Sequence, residues 1–433
     1  MPEPANNRKG FVMDKKLYDN YVKILHKELI PAMGCTEPIA IAYAAAKARQ
    51  VLGVMPEKMV ARCSGNIIKN VKGVNVPNAG GQKGVEVAAI LGALAGDADL
   101  VLQVISKVPD EAVEQVRQLN AKKICVCELE EGVENLFIRI EAYAGEESAV
   151  VEIMTKHDHI SKIIKNGEVL LDEPVVVVTD SGDKSMLCLK DILEFAKTVA
   201  LEDVQDVIEY QIQCNTAISE EGLTGKWGSA VGVTLLEVGS DILRTKAAAR
   251  AAAGSDARMN GCAMPVVINS GSGNQGITCT LPVVTYAEAL GVSREKLIRA
   301  MVCTNLIALH QKRYIGNLSA YCGAVSAGTA AACGIAFLED ADYDTIGKVL
   351  VNSLGNLGGV VCDGAKASCA AKIATSVETA ILSYEMAKRG RTFPFGEGLV
   401  ETDYEQTIRN YGRVAKDGMK STDVEILNIM IGK

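Results

Sequence analysis

The chain has 433 residues, enough for two or three domains and a large buried core. With 48% hydrophobic and 23% charged residues it has the composition of a soluble globular protein, and its net charge of −8 opposes non-specific binding to nucleic acid. Aromatics are only 4% while glycine numbers 40, so helices in close backbone contact are expected.

There are 13 cysteines, and Met1 to Gly10 is polar, without the apolar stretch of a secretory leader. Disulfides are therefore not expected, and a reducing cytoplasmic setting is. Most of these cysteines read as small buried hydrophobes: Cys63, Cys125, Cys127, Cys188, Cys214, Cys262, Cys303 and Cys333. No C-x-x-C pair occurs, which argues against a zinc ribbon or finger. The apolar stretch Gly323–Leu338 stops at Glu339 and falls short of a membrane span.

In chain order, residues 1–13 read as a leader without regular structure. Leu17, Tyr21, Ile24 and Leu25 recur at helical spacing within 14–29, and Pro31 ends that helix. Pro38 opens an alanine-rich helix that stops at Gly53. A short strand follows at 60–63, then two polar loops, 64–70 and 78–81, and a buried helix at 85–95. After a helix at 106–119, β-branched and alternating stretches at 123–129, 136–144, 149–155 and 159–164 read as strands, with Asn166-Gly167 as a hairpin turn. From 184 onward the pattern is helical: 187–201, 218–236, 241–253, 284–290, 294–309, 326–337, 343–354 and 367–389. The fold class is thus α+β, a mainly α-helical core with an inserted small antiparallel α+β domain. The divisions are 1–104, an N-terminal helical part with Cys35; 105–180, the insertion; and 181–433, a second helical part.

The sharpest local pattern is Asn269-Ser270-Gly271-Ser272-Gly273-Asn274-Gln275-Gly276. Its glycines match a dinucleotide fingerprint, but 278–284 contains Pro282 and β-branched residues where a helix should open, and no second βαβ half follows. The better reading is a nest of amides for a small anion such as a carboxylate; an ordinary glycine turn competes with it. Ser64 and Asn66, in Ser64-Gly65-Asn66, suit an amino acid's carboxylate and ammonium, with turn chemistry as the rival reading. His310, at the end of an apolar helix, is the acid–base candidate by residue type, against a merely packed or capping histidine. His157 and His159 are expected at the surface. Lys69 and Glu37 are charges near these loops.

Five segments in order, Met33-Gly34-Cys35-Thr36-Glu37-Pro38, Ser64–Asn70, Asn269–Gly276, Ser319-Ala320-Tyr321-Cys322-Gly323 and Val361-Cys362-Asp363-Gly364-Ala365-Lys366, together resemble the L-cysteine desulfidase family. That family is related to the alpha chain of iron–sulfur L-serine dehydratases. The resemblance spans about residues 15–390. It implies a 4Fe–4S cluster held by Cys35, Cys322 and Cys362, with one iron open to substrate. It also implies β-elimination of L-cysteine to pyruvate, ammonia and hydrogen sulfide, without pyridoxal phosphate. The Gly-Pro-Ser-Ser-Ser-His-Thr segment of the serine dehydratases is missing, which favours the desulfidase branch.

In that chemistry the Asn269–Gly276 nest with Ser64 and Asn66 would hold the substrate carboxylate, and His310 or Lys69 would be the base. Two alternatives stay open: an iron–sulfur L-serine or L-threonine dehydratase, and a non-enzymatic iron–sulfur redox sensor or scaffold. The expected partner is a small-molecule amino-acid substrate, with no nucleic acid and no membrane. A homodimer is one assembly open to the chain, whose oligomeric state the sequence does not set.

Overall fold

A computed structural model describes residues 13–173, 182–316 and 319–433. The expected leader, apart from Met13, and the last residues of the expected insertion, 174–180, lie outside the described residues.

The first half runs α1 (Lys15–Glu28), β1 (Pro31–Met33), α2 (Thr36–Leu52), β2 (Lys58–Cys63), α3 (Gly65–Val71), α4 (Val85–Ala95), α5 (Asp110–Ala121), β3 (Cys125–Leu129), β4 (Phe137–Ala144), β5 (Glu147–Met154), β6 (Ile160–Lys165) and β7 (Glu168–Asp172). The second half runs α6 (Leu189–Thr198), α7 (Gln205–Gly222), α8 (Val231–Gly239), α9 (Leu243–Met259), β8 (Pro265–Val267), α10 (Gly273–Leu290), α11 (Arg294–Ile315), α12 (Gly323–Leu338), α13 (Tyr343–Leu357), α14 (Cys369–Ala387), α15 (Tyr404–Arg413) and α16 (Lys420–Ile431). The fold is α+β. Among the described residues no helix is long and apolar enough to cross a membrane.

One sheet has the order β3-β2-β4-β5-β6-β7. It is mixed rather than wholly antiparallel, because β2 pairs in parallel with β3 while its other ladders are antiparallel. Strand β2 comes from the segment expected to belong to the helical part. It sits inside the sheet, and the apolar core beneath runs from Ile39 through α4 to Ile163. A second core joins α1, α6, α7 and α9–α15. Small residues set the helix spacing, as the composition suggested. A Cβ on Gly92 would fall 2.2 Å from the Ala42 carbonyl, and one on Gly222 1.9 Å from that of Ala253.

Three local expectations change. Residues 65–71 form a helix rather than a loop, because the Ser64 hydroxyl caps it by accepting from Ile67 N–H. The 218–236 stretch is broken into α7 and α8, with Gly225 and Gly228 in left-handed turns at +76° and +58°. Helix α10 opens at Gly273 and carries Pro282 in its buried interior, so the helix-opening objection to a dinucleotide site falls. The objection from topology stands, since β8 pairs antiparallel with β1 in a two-stranded ribbon.

Candidate active site

The β1–β8 ribbon is the first device that assembles the site. Pro31 to Met33 pairs antiparallel with Val267 to Pro265, so the Cys35 turn leaves one end of this three-residue ribbon, past Pro265, and the Asn269–Gly276 loop leaves the other, past Ile30. The buried Asn215 holds β8 through both its amide groups, donating to the Val267 carbonyl at 3.1 Å and accepting from its N–H at 2.9 Å. Cys35 is the N-cap residue of α2, and its thiol donates to Glu37 Oε2 at 3.1 Å. The other oxygen of Glu37 accepts from Asn70 Nδ2, at 3.2 Å. Burial, then the nearby Glu37 carboxylate, push the Cys35 thiol well up, while the Arg258 guanidinium pulls the other way.

The second device is a single strand bridge between Tyr321 and Val361. Cys322 N–H donates to the Val360 carbonyl at 2.9 Å, and Cys362 N–H to that of Ala320 at 2.6 Å. The α12–α13 hairpin thereby returns Cys362 to Cys322, which is the N-cap residue of α12. The two sulfurs come within interaction range of each other. The Cys322 thiol donates to the Cys362 sulfur, which raises the first and lowers the second. Lys69, the Gly364 N–H and Lys372 add to the lowering of Cys362. Cys369, at the start of α14, lies within electrostatic reach of this pair and also packs on the Cys35, Val74 and Met259 cluster. It therefore links Cys35 to the pair.

Among the described residues no three histidine, cysteine or acidic side chains are gathered to hold one metal ion. A 4Fe–4S group is wider than one ion and takes thiolates. The donors here fit it in chemistry: two of the three expected ligands are the N-cap residues of helices, and Lys69 and Lys372 offset negative charge at Cys362.

Of the two base candidates, Lys69 is buried beside Cys362 and ion-paired with Asp423 of α16. His310 is turned away, its Nε2 2.8 Å from Glu405 Oε2 on α15. Burial lowers its pKa, with Glu405 opposing. Two residues on, the same helix aims Lys312 at the cysteine pair. Burial drops Lys312 to about 8, and the Cys362 and Cys322 sulfurs resist that fall. Successive α-helical positions turn by 100°, so neighbours two apart face nearly opposite ways.

The carboxylate candidates divide similarly. The Ser64 hydroxyl is engaged by the Asn135 carbonyl at 2.6 Å and by its capping bond. Asn66 donates to Asn135 Oδ1 at 3.3 Å. Asn269 is buried on Asn305, with Ser270 donating to its oxygen, so both brace the loop. Ser272 caps α10 by accepting from Gln275 N–H. Asn274 and Gln275 do face the site. Asn274 Oδ1 accepts from Arg258, while Gln275 lies against Gly323, next to Cys322, with its Oε1 buried and unpartnered.

Sequence reasoning missed Arg258, Lys312, Cys369 and His157. His157, expected at the surface, has a buried, unpartnered Nε2 and feels both Glu37 and Arg258. One signal was available for Arg258: it is the one cation in the last turn of an alanine-rich helix.

The serine dehydratase alpha chain family matches residues 101–428. A UPF0597 protein of Finegoldia magna is 53% identical over 416 residues, covering 96% of this chain and 100% of its own. One from Lachnoclostridium phytofermentans is 46% identical over 416 residues, with the same shares covered. One from Treponema denticola is 43% identical over 427 residues, 97% of this chain and 99% of its own.

Proposed function

The chain belongs to the serine dehydratase alpha chain family, and on that premise we propose that it is an iron–sulfur lyase that eliminates hydrogen sulfide from L-cysteine. The products would be pyruvate, ammonia and hydrogen sulfide, with one water consumed. The observation that carries the reading is the meeting of Cys322 and Cys362 at the Tyr321–Val361 bridge, beside Lys69. These two cysteines, with Cys35 as third, would hold a 4Fe–4S group. Such a group, when bound, supplies a Lewis-acidic iron for the leaving sulfur.

The chain's own residues do the rest. Gln275 and Asn274 line the place between Cys35 and Cys322. His310 carries its ring toward Glu405, so the proton-moving role falls to the lysines at the cysteine pair, Lys69 at Nζ or Lys312. Glu37 and Asn70 fix the Cys35 turn.

A second reading, L-serine as substrate, is favoured by the family's own description. Anaerobically purified protein incubated with L-cysteine should release sulfide and pyruvate in equal amounts. Ammonia and pyruvate from L-serine, without turnover of L-cysteine, would replace the first reading by the second; no turnover of either would sink both. Cys35→Ala, Cys322→Ala and Cys362→Ala should each lose iron and visible absorbance, while Cys333→Ala should keep both. The reverse pattern for Cys322 and Cys333 would overturn the ligand set.

A further inference from the structure

Arg258 closes α9 and is 3% exposed. Its Nη1 donates to Asn274 Oδ1 at 3.2 Å, and its Nε is buried with no hydrogen-bond partner. Among the described residues no carboxylate pairs with it. Glu37, the acid on the same side, already has one oxygen on Asn70 and the other on the Cys35 thiol. An enclosed cation without a counterion is expensive, and proteins that keep one generally have an anion for it in their working state.

The guanidinium lies over the first turn of α10. A Cβ on Gly273 would come within 2.3 Å of Arg258 Nε, so only glycine leaves the guanidinium room there. Ser270 and Gly271 make the approach in left-handed backbone, at +52° and +75°. Ser272 satisfies Gln275 N–H by its hydroxyl and Gly276 N–H by its carbonyl. The amides of Gly273 and Asn274 are left at the open end of the helix, as the first N–H groups of any helix are. Helix end and buried guanidinium thus point one way. His157 Nε2, buried and unpartnered, faces the same neighbourhood from the sheet.

We propose that Arg258, with the first-turn amides of α10, is the receptor for the substrate's α-carboxylate, placed beside Cys35 and Gln275. The inference rests on the lyase reading for the identity of the substrate. A planar guanidinium offers two parallel N–H groups along its Nε edge, the fork that fits a carboxylate. Arginine at 258 would then select amino and keto acids over amines and amides of the same size.

The test is titration calorimetry of the anaerobically purified full chain with pyruvate, pyruvamide and inorganic phosphate as probes. Pyruvate should bind the wild type, and Arg258→Gln should weaken it at least about tenfold, the scale of one charge-assisted contact. Arg258→Lys should fall between. Pyruvamide on the unmodified protein should bind at least about tenfold more weakly than pyruvate, a comparison that needs no variant to fold. Equal binding of pyruvate and pyruvamide, undiminished binding to a folded Arg258→Gln, or phosphate binding without pyruvate binding would each overturn the assignment. The two proposals fail separately. Arg258-dependent pyruvate binding with no turnover removes the lyase and leaves the receptor. Turnover of L-cysteine with an unchanged KM in Arg258→Gln does the opposite.

Discussion

Gly364 holds its backbone at +96°, and a Cβ there would fall 2.2 Å from the Lys69 carbonyl oxygen. Both the dihedral and the collision forbid a side chain two residues after Cys362. Gly364→Ala should therefore cost about 3 kcal/mol in urea unfolding, whereas Gly53→Ala should cost only about 1 kcal/mol. Gly53 has a similar φ of +90° with nothing within 4 Å of its would-be Cβ. Equal losses would mean that strain, not the Lys69 contact, keeps residue 364 glycine. Residue identity alone left Cys322 and Cys362 two of thirteen cysteines, and only the family resemblance carried by 319–323 and 361–366 singled them out. Nor could residue identity rank His310 against Lys312. Both are polar residues on one buried helix, and which of two nearly opposite faces looks at the cysteines depends on what packs around α11.

The C-terminal helix α16 docks on α3 through Lys69 and Asp423, through Lys72 on the Met430 carbonyl, and with Leu427 over Gly65. Lys69 is 2% exposed and Asp423 21%, so removing the acid strands a buried ammonium. Asp423→Ala should cost about 2 kcal/mol by urea unfolding, somewhat below the loss at a fully buried pair. The control is Glu114→Ala, whose pair with Arg117 on α5 is a surface one with the acid 56% exposed; it should show no resolvable change. If both variants unfold alike, α16 is not held by this pair. Helices with strong periodicity, such as α1 and α6, were legible as elements. Helix α3 was not, because seven residues give too short a period and the signal was one capping serine. Helix α10 was misread at Pro282, because burial on all sides outweighed local propensity. The place of β2 in the sheet could not be read either, since six residues of strand carry no record of their partners.

At the scale of the molecule, the Cys35, Val74 and Met259 cluster lies between the two large cores, and the site is built where they meet. Helix α9 reaches that junction with Arg258, and one half-turn earlier it buries Asp256. The Asp256 side chain is fully enclosed, with Oδ2 accepting from Gly232 N–H at 3.0 Å and Oδ1 unpartnered. Burial pushes this carboxyl up to about 6, against the backbone N–H groups of Gly232 and Val231. Between the ordinary carboxylate value and 6, the folded chain keeps a proton that the unfolded chain has released. Stability from this group is thus fully present below that window, falls as pH rises through it, and stays lower above it. The difference is at most about 3 kcal/mol, at 1.36 kcal/mol for each pH unit. Asp256→Asn keeps an acceptor for Gly232 and removes the titration. Its stability relative to wild type, followed by urea unfolding from pH 4 to pH 8, should therefore climb between about pH 4 and pH 6 and then level. Parallel curves for the two proteins would show that the carboxyl ionises in the fold as freely as in the unfolded chain, and that α9 carries its buried acid at no cost.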